Sequence, residues 1–278
     1  MSAISAVVFD LDGTLVDSLP DLQAALNRLL ATRGLAPLSV PRVREMVGDG
    51  AKRLVERAFA ARGLAAGVDE LADFLADYEA NCALATRVYP GIPEALQTLA
   101  AQGHKLAVCT NKPAAATRNV LDALGLAPFF GAVVGGDSTP YRKPDPRHLA
   151  QALSGLIPIR ENADWYARGV GGAAAREIKA LYQPATWLEE SINWRAGINA
   201  NSGVMAGVMV GDHANDILAA RGLAIPSIFV TWGYGQEQYG EERHSGVRGD
   251  FTANEAGELP GIIAEITRLI AALPANPH

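Results

Sequence analysis

Five short apolar runs recur along this 278-residue chain, separated by stretches of helical period, and each ends in or just before polar residues. They read ISAVVF at 4–9, KLAVCT at 105–110, GAVVG at 131–135, VMAGVMV at 204–210 and SIFV at 227–230. Their length and β-branched content predict buried strands. Helices are predicted between them at about 92–102, 114–124, 146–154 and 215–221. Such strand–helix alternation implies a parallel sheet covered on both faces.

Two segments interrupt the rhythm. From Pro20 to about Thr86 the pattern is helical throughout. Leu22, Leu26, Leu29 and Leu30 share one face of a helix that Gly34 stops. Val43, Met46 and Val47, then Leu54, Val55, Ala58 and Phe59, then Leu71, Phe74, Leu75 and Tyr78 give further amphipathic segments around Gly48-Asp49-Gly50. This block reads as a helical insertion after the first strand. The second interruption, 155–203, far exceeds the dozen or so residues a βαβ crossover needs. It holds Trp165, Trp187 and Trp194, and a helix is predicted over 173–182. The helix before it runs away from the carboxyl ends of the strands, so the segment should emerge on the opposite side. It is either an accessory loop or a surface through which the chain forms homo-oligomers or meets a partner.

A hydrophobic content of 49% supports a substantial core. A net charge of -6 without a Lys/Arg cluster disfavours nucleic acid and anionic membranes as partners. Cys82 and Cys109 make no disulfide scaffold, and no histidine pairs with a cysteine at zinc-ligand spacing. No basic leader with a signal-type apolar stretch and no bilayer-length run is present, so a cytoplasmic protein is expected.

In an open parallel sheet, ligands bind beyond the carboxyl ends of the strands. There the first strand leads to Asp10 and Asp12, the second to Thr110 and Asn111, the third to Lys143 and the fourth to Asp212 and Asp216. Four carboxylates in one crevice require a cation, and hard oxygen ligands near a phosphate select Mg²⁺. One carboxylate can attack phosphorus. A second, two residues on, can serve as general acid and then general base. A fixed ammonium and small donors offset charge on the phosphoryl oxygens.

DLDGTLVDS, TNKP, RKPDP and GDHAND resemble, in order and placement, the four motifs of the haloacid dehalogenase superfamily. LPDL at 19–22, VGDG at 47–50 and GYG at 233–235 add to a similarity with its bacterial phosphoglycolate phosphatases. The resemblance covers nearly everything outside 155–203. It implies an α/β fold: a Rossmann-like core of 1–18 and 88–278, with 19–87 as a small all-helical C1-type cap. Leu15–Pro20 and Thr86–Tyr89 would be the hinges of that cap. It implies Asp10 as nucleophile, Asp12 as acid/base, Thr110 and Asn111 on the phosphoryl group, and Lys143 as the neutralising cation. Mg²⁺ would be held by Asp10, the backbone carbonyl of Asp12, and Asp212, with Asp216 acting through water or Lys143. The implied reaction is hydrolysis of a small phosphorylated metabolite, 2-phosphoglycolate first, through an aspartyl-phosphate.

Several readings stay open. Gly48-Asp49-Gly50 is either a helix–helix turn or a cap loop that approaches substrate. Lys52 and Arg53 either pair with a substrate carboxylate or form a solvated face. Asp137 either positions Lys143 or caps a turn, and His213 is read as a satisfied or solvated histidine. Rival activities are a sugar-phosphate phosphatase or mutase, a metal-independent dehalogenase, and a phospho-aspartate receiver domain.

Overall fold

The computed structural model describes residues 4–156, 207–235 and 247–272. The chain opens with β1 (Ala6–Phe9) and β2 (Val16–Asp17). Four helices follow: α1 (Leu19–Thr32), α2 (Val40–Arg44), α3 (Ala51–Ala60) and α4 (Val68–Asn81). Next come β3 (Arg87–Val88), α5 (Ile92–Ala101), β4 (Lys105–Cys109), α6 (Ala114–Ala123), β5 (Phe130–Val134) and α7 (Pro146–Ser154). The last described elements are β6 (Gly207–Gly211), α8 (Ala214–Gly222), β7 (Ser227–Val230), β8 (Phe251–Ala253) and α9 (Leu259–Ala272).

Six strands form one parallel sheet in the order β5-β4-β1-β6-β7-β8. Side-chain alternation along β1 explains why both faces are covered. Val7 and Phe9, with Val108, Val210 and Ile228, pack against α5, α6 and α9 through Leu96, Leu99, Val120, Leu121, Ile263 and Ile266. Ala6 and Val8, with Ala107, Cys109 and Met209, meet Leu149 and Leu153 of α7 and Ala219 and Ala220 of α8. Burying each of the larger side chains contributes about 1.5–3 kcal/mol. Cys109 packs in this layer, where burial pushes its thiol up to about 12.

The expected strands and helices are present within a few residues. α1 has Pro20 in its first turn and ends before Gly34 at φ +67°, a glycine stop. Four elements went unpredicted. β2 and β3 pair antiparallel where the chain leaves and re-enters the sheet layer, and β8 and α9 extend the core beyond the last expected strand. The helix expected at 173–182, and nearly all of the 155–203 insertion with its tryptophans, lie outside the described residues. No described helix is long and apolar enough to cross a membrane.

Candidate active site

Asp10 follows β1 directly, Thr110 follows β4 and Asp212 follows β6. Connections from β1 and β6 leave toward opposite edges of the sheet, which opens a crevice at their carboxyl ends. Lys143 arrives from the loop after β5. The Asn111 amide holds it there, accepting from the Lys143 backbone N–H and donating to its carbonyl, both at 2.9 Å. All four polar strand ends thus meet.

Lys143 Nζ is buried 2.8 Å from Asp10 Oδ1 and donates to Asp216 Oδ1 at 2.6 Å. Burial disfavours its ammonium, but Asp10 and Asp216 outweigh that and hold its pKa above the usual value. Asp216 lies in the first turn of α8 and also accepts from the His213 N–H (3.0 Å), so it caps the helix and fixes Lys143 together. Asp212 accepts from Thr14 Oγ1 (3.0 Å) and the Tyr234 N–H (2.7 Å). Gly13 lies against it at φ +86°, where a Cβ would fall 2.3 Å from Asp212 Oδ2. Only glycine suits that position.

The charges do not balance within the protein. Burial, helped by Asp216 and Asp212, raises the Asp10 carboxyl to about 7 against the pull of Lys143. Asp10 Oδ1 makes no aligned hydrogen bond despite its ion-pair distance from Lys143. One ligand atom each from Asp10, Asp212, His213 and Asp216 lies within 4.8 Å of the others. This buried, anionic, under-satisfied donor set fits a divalent cation. His213 is closer to the chemistry than its sequence position suggested. It is buried with Nδ1 3.1 Å from Asp212 Oδ2, and neither ring nitrogen has an aligned hydrogen-bond partner. Burial lowers its basicity, but Asp212 overrides this and raises the imidazole to about 9.

Asp12 faces the other way. Its Oδ1 accepts from Ser18 Oγ at 2.5 Å and Lys112 Nζ at 2.8 Å, and its side chain lies outside the acidic cluster. Lys112 is buried and also donates to the Tyr78 hydroxyl of α4. Over this floor, Leu22, Val47, Leu54, Phe74 and Tyr78 of the helical segment form an apolar wall. Thr110 is buried at the pocket floor, where its Oγ1 accepts from the Lys112 N–H at 3.2 Å.

Gly48 and Gly50 line the pocket. Gly48 has φ +119°, and a Cβ there would fall 2.7 Å from His213 Cδ2. Its carbonyl accepts from Asn111 Nδ2 at 3.0 Å. Asp49 pairs with Arg57 and accepts from Asn215 Nδ2 at 2.8 Å. Partial burial works against its charge, but Asn215 and Arg57 outweigh that and hold Asp49 below the usual carboxylate range. The loop therefore docks helices onto core residues. Lys52 and Arg53 are exposed and pair with Glu56; neither lines the pocket over Asp12, but Arg53 borders a neighbouring cavity together with Asp49, Arg57 and Lys143. Asp137 accepts from the Ala114 N–H at 2.7 Å and so caps α6 rather than touching Lys143. Sequence reasoning gave no role to Lys112 or Tyr78. Lys112 stood inside TNKP, and Tyr78 read as one more apolar-face residue.

A haloacid dehalogenase-like hydrolase family profile matches residues 4–162. The chain belongs to the haloacid dehalogenase-like hydrolases. It is 37% identical over 237 residues to the phosphoglycolate phosphatase of Caulobacter vibrioides, covering 84% of this chain and 81% of that protein. It is 46% identical over 154 residues to that of Cereibacter sphaeroides, covering 54% of this chain and 71% of that protein. A crystal structure of a predicted phosphoglycolate phosphatase from Haemophilus somnus superposes with a TM-score of 0.68 at 27% identity, covering 94% of this chain and 99% of that one. This family's α/β fold matches the parallel sheet described above.

Proposed function

We propose that this hydrolase is a divalent-metal-dependent phosphomonoesterase, with 2-phosphoglycolate as substrate and Mg²⁺ as the metal. The observation that carries the reading is the pairing of two differently placed carboxylates. Asp10 lies in the acidic cluster against Lys143, while Asp12 points toward Lys112 and the pocket wall. Asp10 attacks phosphorus, and the bond to the ester oxygen breaks as Asp12 delivers a proton to that oxygen. Asp12 then takes a proton from water, which attacks the aspartyl-phosphate and releases inorganic phosphate and free Asp10. Lys143 holds Asp10 in place and offsets charge on the phosphoryl oxygens, and Thr110 offers its hydroxyl to them. Asp10, Asp212 and the Asp12 backbone carbonyl would hold Mg²⁺, which supplies further charge compensation when bound.

Residues 19–87 serve as the cap, and the β2–β3 ribbon spans its two connections to the core. Cap closure keeps bulk water from the pocket. The apolar wall favours a short ester over a sugar, whose hydroxyls would find few partners there. A panel of small phosphomonoesters, assayed with Mg²⁺ and with EDTA, tests the reading. Mg²⁺-dependent phosphate release that Asp10→Asn abolishes is expected. Turnover that survives EDTA or Asp10→Asn would refute it.

A further inference from the structure

Lys112 does something the reaction above does not use. Its ammonium is buried beside Asp12 in the pocket under the apolar wall, whereas Lys143 is taken up by Asp10 and Asp216. Asp12 Oδ1 and Tyr78 Oη take two of its three N–H donors. The Lys112 ammonium also lies 4.6 Å from the Tyr78 ring centroid. Asp12 is the group that must reach the ester oxygen, and Lys112 Nζ is 2.8 Å from it. A polar group attached one carbon beyond that oxygen is therefore carried toward Lys112. Around it, Leu22, Val47, Leu54 and Phe74 exclude water and offer no competing donor. In such surroundings an ammonium–anion contact is far stronger than in bulk water.

We infer that Lys112 is a specificity-determining residue that binds a carboxylate one carbon beyond the ester oxygen, with Tyr78 from α4 holding its ammonium in position. The inference rests on the phosphatase reading of the same site, and it assigns the residue that separates α-carboxylated alkyl phosphates from plain ones. The aromatic pair Phe74 and Tyr78, stacked with ring centroids 5.5 Å apart, closes the far side and limits the tail to a few atoms.

The test compares 2-phosphoglycolate with ethyl phosphate, a two-carbon ester without the carboxylate. Wild type should prefer the former by about 100-fold in kcat/KM, because a site built around a buried charged donor rejects an analogue lacking the partner. Lys112→Met and Lys112→Gln should lower kcat on both esters through Asp12, yet reduce the preference to below about 10-fold, with the additional loss specific to 2-phosphoglycolate in KM. Lys112→Arg, which keeps the charge, should retain more of the preference than Lys112→Gln. A neutral variant with its preference intact would overturn the inference and leave the phosphatase reading standing. Wild type turning over both esters equally would overturn it without any variant. Failure of wild type to hydrolyse any phosphomonoester would instead remove the phosphatase reading, and this inference with it.

Discussion

Asp10→Asn should make the metal-free protein more stable while abolishing activity. Burial and neighbouring carboxylates hold the Asp10 carboxyl at about 7 in the folded protein, against 3.8 for the free side chain. The folded state therefore keeps a proton that the unfolded chain loses. Stability falls as pH rises from about 4 to about 7, and the full penalty is present above that. A difference of this size is about 4 kcal/mol. Asparagine does not ionise, so the variant escapes the penalty. In EDTA at pH 8, Asp10→Asn should gain up to about 4 kcal/mol by urea denaturation, or about 10 °C in Tm. At pH 4 the gain should vanish, because Asp10 is then protonated in the native state. A variant no more stable than wild type at pH 8, or a gain independent of pH, would refute the claim that Asp10 sits in an under-compensated anionic cluster.

Three further outcomes follow from the same geometry. Lys143→Met leaves Asp10 and Asp216 buried without their cation, and should cost about 3–5 kcal/mol at pH 8, as denaturant midpoints would show. Lowering the pH should shrink that loss by protonating the stranded carboxylates. Asp21→Ala removes a buried acceptor for the Ala85 and Thr86 N–H groups and the Thr86 hydroxyl, which ties the two ends of the 19–87 helical segment together. It should cost about 3 kcal/mol in chemical denaturation. Mg²⁺ at about 100 times its dissociation constant should stabilise wild type by about 2.7 kcal/mol in thermal melts. That gain should be larger at pH 8 than at pH 5, where protons compete for Asp10, and smaller in Asp10→Asn.

The core was legible because a parallel sheet writes itself into sequence as apolar runs with polar ends. Phe9 into Asp10 and Val210 into Asp212 show both the strand and the rim it reaches. The amphipathic faces of α1, α3 and α4 likewise marked the helical insertion, although two-residue strands such as β2 and β3 carry no period to detect. Site geometry was less legible where side chains turn toward distant backbone. Asn111 was expected on the phosphoryl group, yet its amide hydrogen-bonds with Lys143 and Gly48. Spacing along the chain gives no hint of such a brace. Lys112 and Tyr78 meet across 34 positions, and only the packing of α4 over the sheet brings them together. His213 hid behind its neighbours, because a histidine between two motif aspartates reads the same whether buried or solvated.

The most direct test of the account is the covalent state of Asp10 during turnover. The enzyme is mixed with Mg²⁺ and 2-phosphoglycolate, quenched in acid on the millisecond scale, digested with pepsin and analysed by peptide mass spectrometry. The account predicts one added phosphoryl group on the peptide containing Asp10, lost once substrate is exhausted and absent in Asp10→Asn. Phosphate release with Asp10 unmodified at every quench time, or a phosphoryl group on another residue, would contradict it.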